Sequence, residues 1–562
     1  MDQQYHPVLN YTLYYPGKNL PEKNLERLSG LNRDVIFNLL CRIKMTLSRS
    51  SERDAHNPFM NWFISLLPEA HAERLKYFLF NGNADHFITT TLVVNQILAG
   101  LFNEAEDTIQ PQFEMPDYIS LAVLETLLIY NDHHFRYIGI GSKDDGHDLL
   151  WQIMMMQDLN GANQASFVRT GAMKQAVFLS FLEHELKGQF AEYEDKICTN
   201  LGISKLVELS LMFVGLQVEQ DKRLKMKDPL ICIAPGNALY QSLYKLKLVT
   251  EPHHNTPPIS IFNIMMQPFI RLANGYLSFT GTHDFALISE LGWGYYLFNE
   301  GTLKPYIPRF AKSNFQAFFG YYVEKFLLGS IFRSLDQKGL RVIASDDQKT
   351  PDMTLILNQT DVFLFEIKTS SLHHNDWEEQ NLEAFKKYLN ANFISDKKGV
   401  IQLHKCLRHL ADDPIGLFHL HTPLHKLKIY PVIVYTEPHA GVVAVNDYII
   451  HNSPILSGDL AAKFATIHPV TMIDADFFVE NSRVLRQNKR LLKDAILRYH
   501  SGTKQRKKQW QKVNSTLNFS KAMQNFDNYN IGFGGLYRED QMAIANEIKS
   551  IFNAPKQDPD HL

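Results

Sequence analysis

Two short apolar runs near the middle of the chain constrain its fold more than any other feature. MTLIL at 353–357 and DVFLF at 361–365 flank the turn-forming NQT and read as a buried β-hairpin. Around this hairpin the sequence sets Asp352 before the first run, and Glu366 and Lys368 at the end of the second. Alternate residues of a strand share a face, so Val362, Leu364, Glu366 and Lys368 point one way and Phe363, Phe365 and Ile367 the other. Whether Asp352 joins them depends on loop parity. A two-residue turn at Gln359-Thr360 would set Asp352 opposite Ile367, on the wrong face. The pattern therefore predicts a three- or five-residue loop, or a bulge, around Asn358 to Asp361.

Two carboxylates converging with a lysine suit phosphodiester hydrolysis. Asp352 and Glu366 supply hard oxygen ligands for Mg²⁺ or Mn²⁺, and Lys368 is placed to orient a water or to stabilise developing negative charge. The triplet alone says little, since the chain repeats acid-x-Lys at Glu185/Lys187, Glu194/Lys196, Asp336/Lys338, Asp347/Lys349, Asp396/Lys398 and Glu547/Lys549. Only Glu366/Lys368 closes an apolar run one strand's length after a Pro-Asp pair. A further acid, Glu324, lies beside the helical stripe Phe315, Phe319, Tyr322 and Phe326, with Gly320 one turn earlier to admit a second backbone. A solvated Glu paired with a lysine is the plainer reading of that position.

Around the hairpin the elements fall in the order α-β-β-β-α-β. A helix from Ser313 precedes LRVIAS, MTLILN and DVFLFEIKT, and KKGVIQLHKCLRHL leads to KIYPVIVYT, where Pro431 suggests a strand start or edge. The expected fold class is α/β, in four parts. Residues 1–228 form an all-helical N-terminal half; 229–304 a connecting segment, broken near 230–260 by Pro, Gly and Asn, with one short strand and one aromatic helix; 305–450 the mixed core; and 451–562 a helical extension, basic from Arg483 to Lys512.

A Pro-Asp pair, thirteen residues and then Glu-Ile-Lys, inside that element order, resembles the PD-(D/E)XK nuclease superfamily. The resemblance covers about 305–450. It implies a restriction-endonuclease-like core in which Asp352, Glu366 and Glu324 hold Mg²⁺ or Mn²⁺, Lys368 is catalytic, and Gln402 matches a frequent glutamine of the second core helix. The layout is also similar to bacterial defence nucleases whose extra domain senses or restrains. The implied function is metal-dependent cleavage of nucleic acid, DNA ahead of RNA and endonuclease ahead of exonuclease, in antiphage defence or restriction. The rival readings are a catalytically inactive binding or assembly module of the same fold, and a helical scaffold in which Glu366 and Lys368 are an edge ion pair. The helical half is left to pair with a second copy or a partner protein.

Composition narrows the partners. A formal charge of −3 provides no global basic excess, so nucleic acid would need a local patch. Candidates are Lys397, Lys398, His404, Lys405 and Arg408, the loop with His373, His374 and Trp377, and the tail cations Arg483, Arg486, Lys489, Arg490, Lys493, Lys504, Arg506, Lys507 and Lys508. Cys41, Cys198, Cys232 and Cys406 form no CxxC pair, which points to free thiols in a reducing compartment. His133, His134, His184 and Glu185 read as a solvated helix face, and His253 and His254 as an exposed turn. No basic and apolar leader opens the sequence, 87–103 reads as a core helix rather than a membrane span, and no GxxxxGK[ST] loop is present. A cytoplasmic protein with no membrane partner is expected.

Overall fold

The computed structural model describes residues 8–47, 58–80, 88–104, 116–135, 151, 164–223, 226, 228–251, 258–281, 293–299, 303–344, 349–373, 376, 378, 381–395, 398–456, 459–513 and 523–531. His253, His254, His374, Trp377 and Lys397 lie outside them. The fold is α/β, with its helices concentrated in the N-terminal half. Among the described residues the first strand is β1, Cys232–Ile233.

The helices Arg33–Leu47, Thr91–Asn103 and Pro116–Phe135 enclose one apolar core, in which Phe37 stacks on Phe102 at 4.8 Å. Thr91–Asn103 starts where the Thr90 hydroxyl accepts the Val93 amide at 3.3 Å, and ten of its thirteen residues are buried, as its apolar composition requires. No described helix is long and apolar enough to cross a membrane.

Residues read as a connecting segment fold into a small four-stranded sheet in the order β1-β4-β3-β2, with β2 Val249–Thr250, β3 Phe269–Arg271 and β4 Leu277–Phe279. Where one strand is expected, four form. Each is two or three residues long, too short for alternation to be read.

The main sheet runs β10-β8-β7-β6-β5, with β9 also on β8. Its strands are β5 Leu340–Ala344, β6 Met353–Leu357, β7 Asp361–Lys368, β8 Lys428–Tyr435, β9 Thr466–Ile467 and β10 Thr471–Asp474. The pairs β5–β6 and β6–β7 are antiparallel; β7–β8 and β8–β10 are parallel. Residues 471–474, from the stretch read as a helical extension, thus complete the sheet.

The β6–β7 loop has three residues, as parity demands. Leu357 pairs with Asp361, the Thr360 amide donates to the Leu357 carbonyl at 3.2 Å, and Asn358 and Gln359 take φ of 51° and 62°. Phe363, Phe365 and Ile367 pack on one face, against a long helix at 315–334 and the helices Gln164–Leu186 and Ala475–Gln487; Phe365 lies 4.7 Å from Phe332. Val362 and Leu364 pack on the other, against the helices Leu382–Leu389 and Val400–Asp412. The helix Gln164–Leu186 from the N-terminal half therefore shares a core with the sheet.

Pro431 is not at a strand start or an edge. It sits inside β8 opposite Leu364, between β7 and the outer strands. Its missing donor costs nothing because of where that donor would point. Ile429 faces outward, accepting the His468 amide, so Pro431 two residues on faces outward too, at the gap where the neighbour changes from β9 to β10.

Several cations of the basic tail turn inward. Lys493 meets Asp361 at 2.8 Å, Lys507 binds Asp447, Arg506 binds Gln524, and Lys489 donates to the Lys338 carbonyl at 3.0 Å. Tail positions expected to reach phosphate are in these cases committed to the fold. Elsewhere, Glu185 pairs with Arg309 and His133 bonds the Pro21 carbonyl at 2.7 Å, so neither is a solvated face.

Candidate active site

The register that pairs Met353 with Phe365 puts Asp352 one step beyond β6, opposite Glu366. There the Asp352 Oδ2 accepts the Ile367 amide at 2.6 Å. Odd residues of β7 present their backbone toward β6, so this carboxylate occupies the place of the next ladder carbonyl. The strand ends, and a side chain continues its hydrogen bonding.

Glu366 is 1% exposed, yet it stands among charges. Its Oε1 receives the Lys368 ammonium, while Oε2 is buried with no hydrogen-bond partner. Burial, then the charge of Asp352, pushes the Glu366 carboxyl up to about 8 against the partial relief of Lys368. Burial and then Glu324 push Asp352 up to about 6, opposed by the Ile367 amide and Lys368. The two acids sense each other, and Lys368 serves both.

Glu324 reaches this neighbourhood from the long helix. It lies in a π-helical stretch, Tyr322–Leu328, between the α-helices Phe315–Tyr321 and Gly329–Ser334, and π turns recur at functional sites. Its carboxylate pairs with Lys325 at 2.7 Å, the plainer arrangement anticipated for it. The close approach expected at Gly320 is present: a Cβ there would stand 2.9 Å from Thr369 Oγ1, and the Gln316 amide donates to the Thr369 carbonyl. Glycine thus lets the residue after Lys368 nest against the helix.

The helix Val400–Asp412 closes the other side. Its Cys406 thiol is pushed up to about 12 by burial and then by the charges of Glu366 and Asp352, within whose electrostatic range it lies. Gln402 lies one turn earlier on that face, half-buried, and no hydrogen bond links it to either carboxylate. Cys406 is a neighbour that sequence reasoning missed; its i+4 spacing from Gln402 is the signal that could have found it.

The arrangement brings Asp352, Glu366 and Lys368 together, sets Glu324 within electrostatic range, and leaves Gln402 at the margin. Among the described residues no group of three or more His, Cys, Asp and Glu side chains gathers as a metal cage. Two carboxylates with one bare oxygen form a partial donor set of the kind a hard cation completes with water and substrate oxygens. No protein-family model, curated protein or solved structure matches the chain.

Proposed function

We propose that the chain is a metal-dependent nuclease built on a restriction-endonuclease-like core, cutting DNA in preference to RNA by internal cleavage. The observation that carries this reading is the bare, buried Oε2 of Glu366 facing a second acid across a three-residue hairpin. Burying two carboxylates against a single ammonium is costly, and a divalent cation is the partner that such a pair lacks. Asp352 and Glu366 would hold Mg²⁺ or Mn²⁺, which when bound acidifies water and neutralises phosphate charge.

The remaining chemistry belongs to the chain. Lys368 is 12% exposed on its side chain, beside the partly exposed Asp352 and the closed Glu366, and it donates to a phosphate oxygen or orients the attacking water. The Ile367 amide fixes the Asp352 carboxylate, leaving its second oxygen for ligation. Glu324 serves as an accessory acid once it leaves Lys325. Lys398, Lys405 and Arg408 are exposed at or near the helix Val400–Asp412, Lys405 one turn from Gln402 and Arg408 farther round the helix, and would supply cations for a strand's phosphates. The helical half, which packs on the long helix, suits a restraining or sensing part in defence or restriction.

The test is incubation with plasmid, linear and single-stranded DNA and with RNA, with Mg²⁺, Mn²⁺ or chelator. Nicking or linearisation of plasmid that needs the cation and falls by roughly a hundredfold or more in Lys368→Ala is the expected result. Cation-dependent cleavage that survives unchanged in both Lys368→Ala and Asp352→Asn sinks the assignment. The inactive-module reading is favoured by one observation, the Lys368–Glu366 pair that already neutralises half of the site; binding of DNA without cleavage under every cation would support it.

A further inference from the structure

A second knot of acids lies at the same edge of the main sheet, outside the site above. Lys368, Tyr435 and Asp474 are in register across β7, β8 and β10, so Asp474 ends its strand two strands away from the candidate lysine. Asp474 accepts the Asp476 amide at 2.9 Å as the cap of the helix Ala475–Gln487. Asp527, from the short C-terminal helix Phe526–Ile531, enters from the other side and is 8% exposed. Its Oδ2 accepts both the Asp474 amide and the Tyr435 hydroxyl at 3.1 Å, and its Oδ1 is buried without a hydrogen-bond partner.

The charge balance around this knot does not close. Facing Asp527 are Asp474 on β10, Asp476 on the following helix, Tyr435 on β8 and Tyr499 on the helix Leu491–Val513, with Lys174 arriving from the helix Gln164–Leu186 to pair with Asp476. Lys507 is held by Asp447, Arg506 by Gln524 and the Tyr529 ring at 4.9 Å, and His500 bonds Thr471 at 2.8 Å, kept neutral by burial. Three acids against one lysine leave two negative charges in a buried place if all ionise. A proton on Asp527 Oδ1 removes one of them and neutralises the oxygen that no donor serves.

We propose that Asp527 carries a proton on its buried Oδ1, and that this proton latches residues 523–531 onto the carboxyl edge of the main sheet. The segment is otherwise held by the Ala444 amide on the Met523 carbonyl at 2.9 Å, the Tyr499 hydroxyl on the Gln524 carbonyl at 3.2 Å, the Asn525 amide on the Gly441 carbonyl, and Phe526 packed against Phe477 and Tyr499. Two of these ties reach 441–444, the chain that follows β8. Loss of the proton to solvent therefore frees the C-terminal segment and loosens the loop after β8 together. Burial, and the charge of Asp476 beside it, raise the Asp527 carboxyl to about 7 from an ordinary 3.8. Docking is then strongest in acid, weakens as pH climbs past 3.8, and has lost the whole contribution above about 7.

Hydrogen exchange of the intact chain, read by mass spectrometry and corrected for the intrinsic pH dependence of exchange, tests the latch independently of any cleavage activity. Between about pH 6 and about pH 8.5, protection of 523–531 relative to β6 and β7 is expected to fall roughly tenfold in the parent. Asp527→Asn, which carries a fixed donor in place of the proton, is expected to show the same protection at both values. Asp474→Asn serves as the second variant, with β6 and β7 reporting that each variant is folded. Parent protection that ignores pH, or an Asp527→Asn segment that still titrates like the parent, overturns the proposal whether or not the chain proves to be a nuclease.

Discussion

Glu366 has two oxygens with different surroundings: one meets Lys368, and the other meets nothing. In the cation-free protein this acid and Asp352 rise to about 8 and about 6 from ordinary values of 4.5 and 3.8. A raised carboxyl makes the folded state the tighter proton binder, so stability is intact below the ordinary values, falls as pH climbs, and carries the full cost above the folded ones. Thermal melts in chelator are expected to decline from about pH 5 to about pH 8.5, and Glu366→Gln to flatten that decline by an amount on the order of 2 kcal/mol. Cation affinity should strengthen over the same interval, because ligation needs both acids deprotonated; calorimetric titration at each pH measures it, and a pH-independent affinity speaks against these ligands. Lys368→Ala is expected to lower cleavage by roughly 10²- to 10³-fold with binding largely kept.

At the scale of elements, the hairpin decides the site. Asn358 and Gln359 hold the left-handed backbone that its tight turn demands. Gln359→Gly should raise stability by about 0.5 kcal/mol, whereas Asn358→Val should lower it by about 1 to 2 kcal/mol, both measured by chemical denaturation. This loop was legible because parity and chemistry agreed: one face had to carry Asp352 and Glu366, and only an odd loop allows it. The approach of Thr369 to Gly320 was legible for a related reason, since a glycine beside an aromatic stripe has few other uses. The small sheet and β10 were not, because strands of two to four residues leave no period to detect. Nor was the winding at Glu324, since a π turn has no residue signature in YVEKFLL.

Across the whole molecule, the helix Gln164–Leu186 ties the N-terminal half to the sheet. Phe178 and Phe181 meet Tyr322 at 5.0 and 5.3 Å, Phe181 meets Phe326 at 5.3 Å, and the Tyr322 hydroxyl donates to the Lys174 carbonyl at 2.8 Å. A fragment beginning at residue 229 strips this cover from the long helix and is expected to be unfolded or aggregated by circular dichroism and gel filtration. Phe181→Ala should cost about 3 to 5 kcal/mol and lower the melting of the main sheet with it. The sequence placed a boundary at 228 because helical pattern gives way to turns there, but a change of pattern along a chain does not report which surfaces meet in space.

The loosely wound turn at 322–328 has a bearing on how this chain can vary. A π stretch accommodates a residue that an α-helix of the same span would leave out. Removing that residue would let the segment rewind as α with the flanking turns kept in phase but the acid withdrawn from its bulge, whereas adding another would swing side chains on one side by about 100° about the axis relative to those on the other. The aromatic anchors and the acid at 324 would then be unable to face their present neighbours together. Length in this septet is accordingly under tighter geometric restriction than the identity of most of its letters.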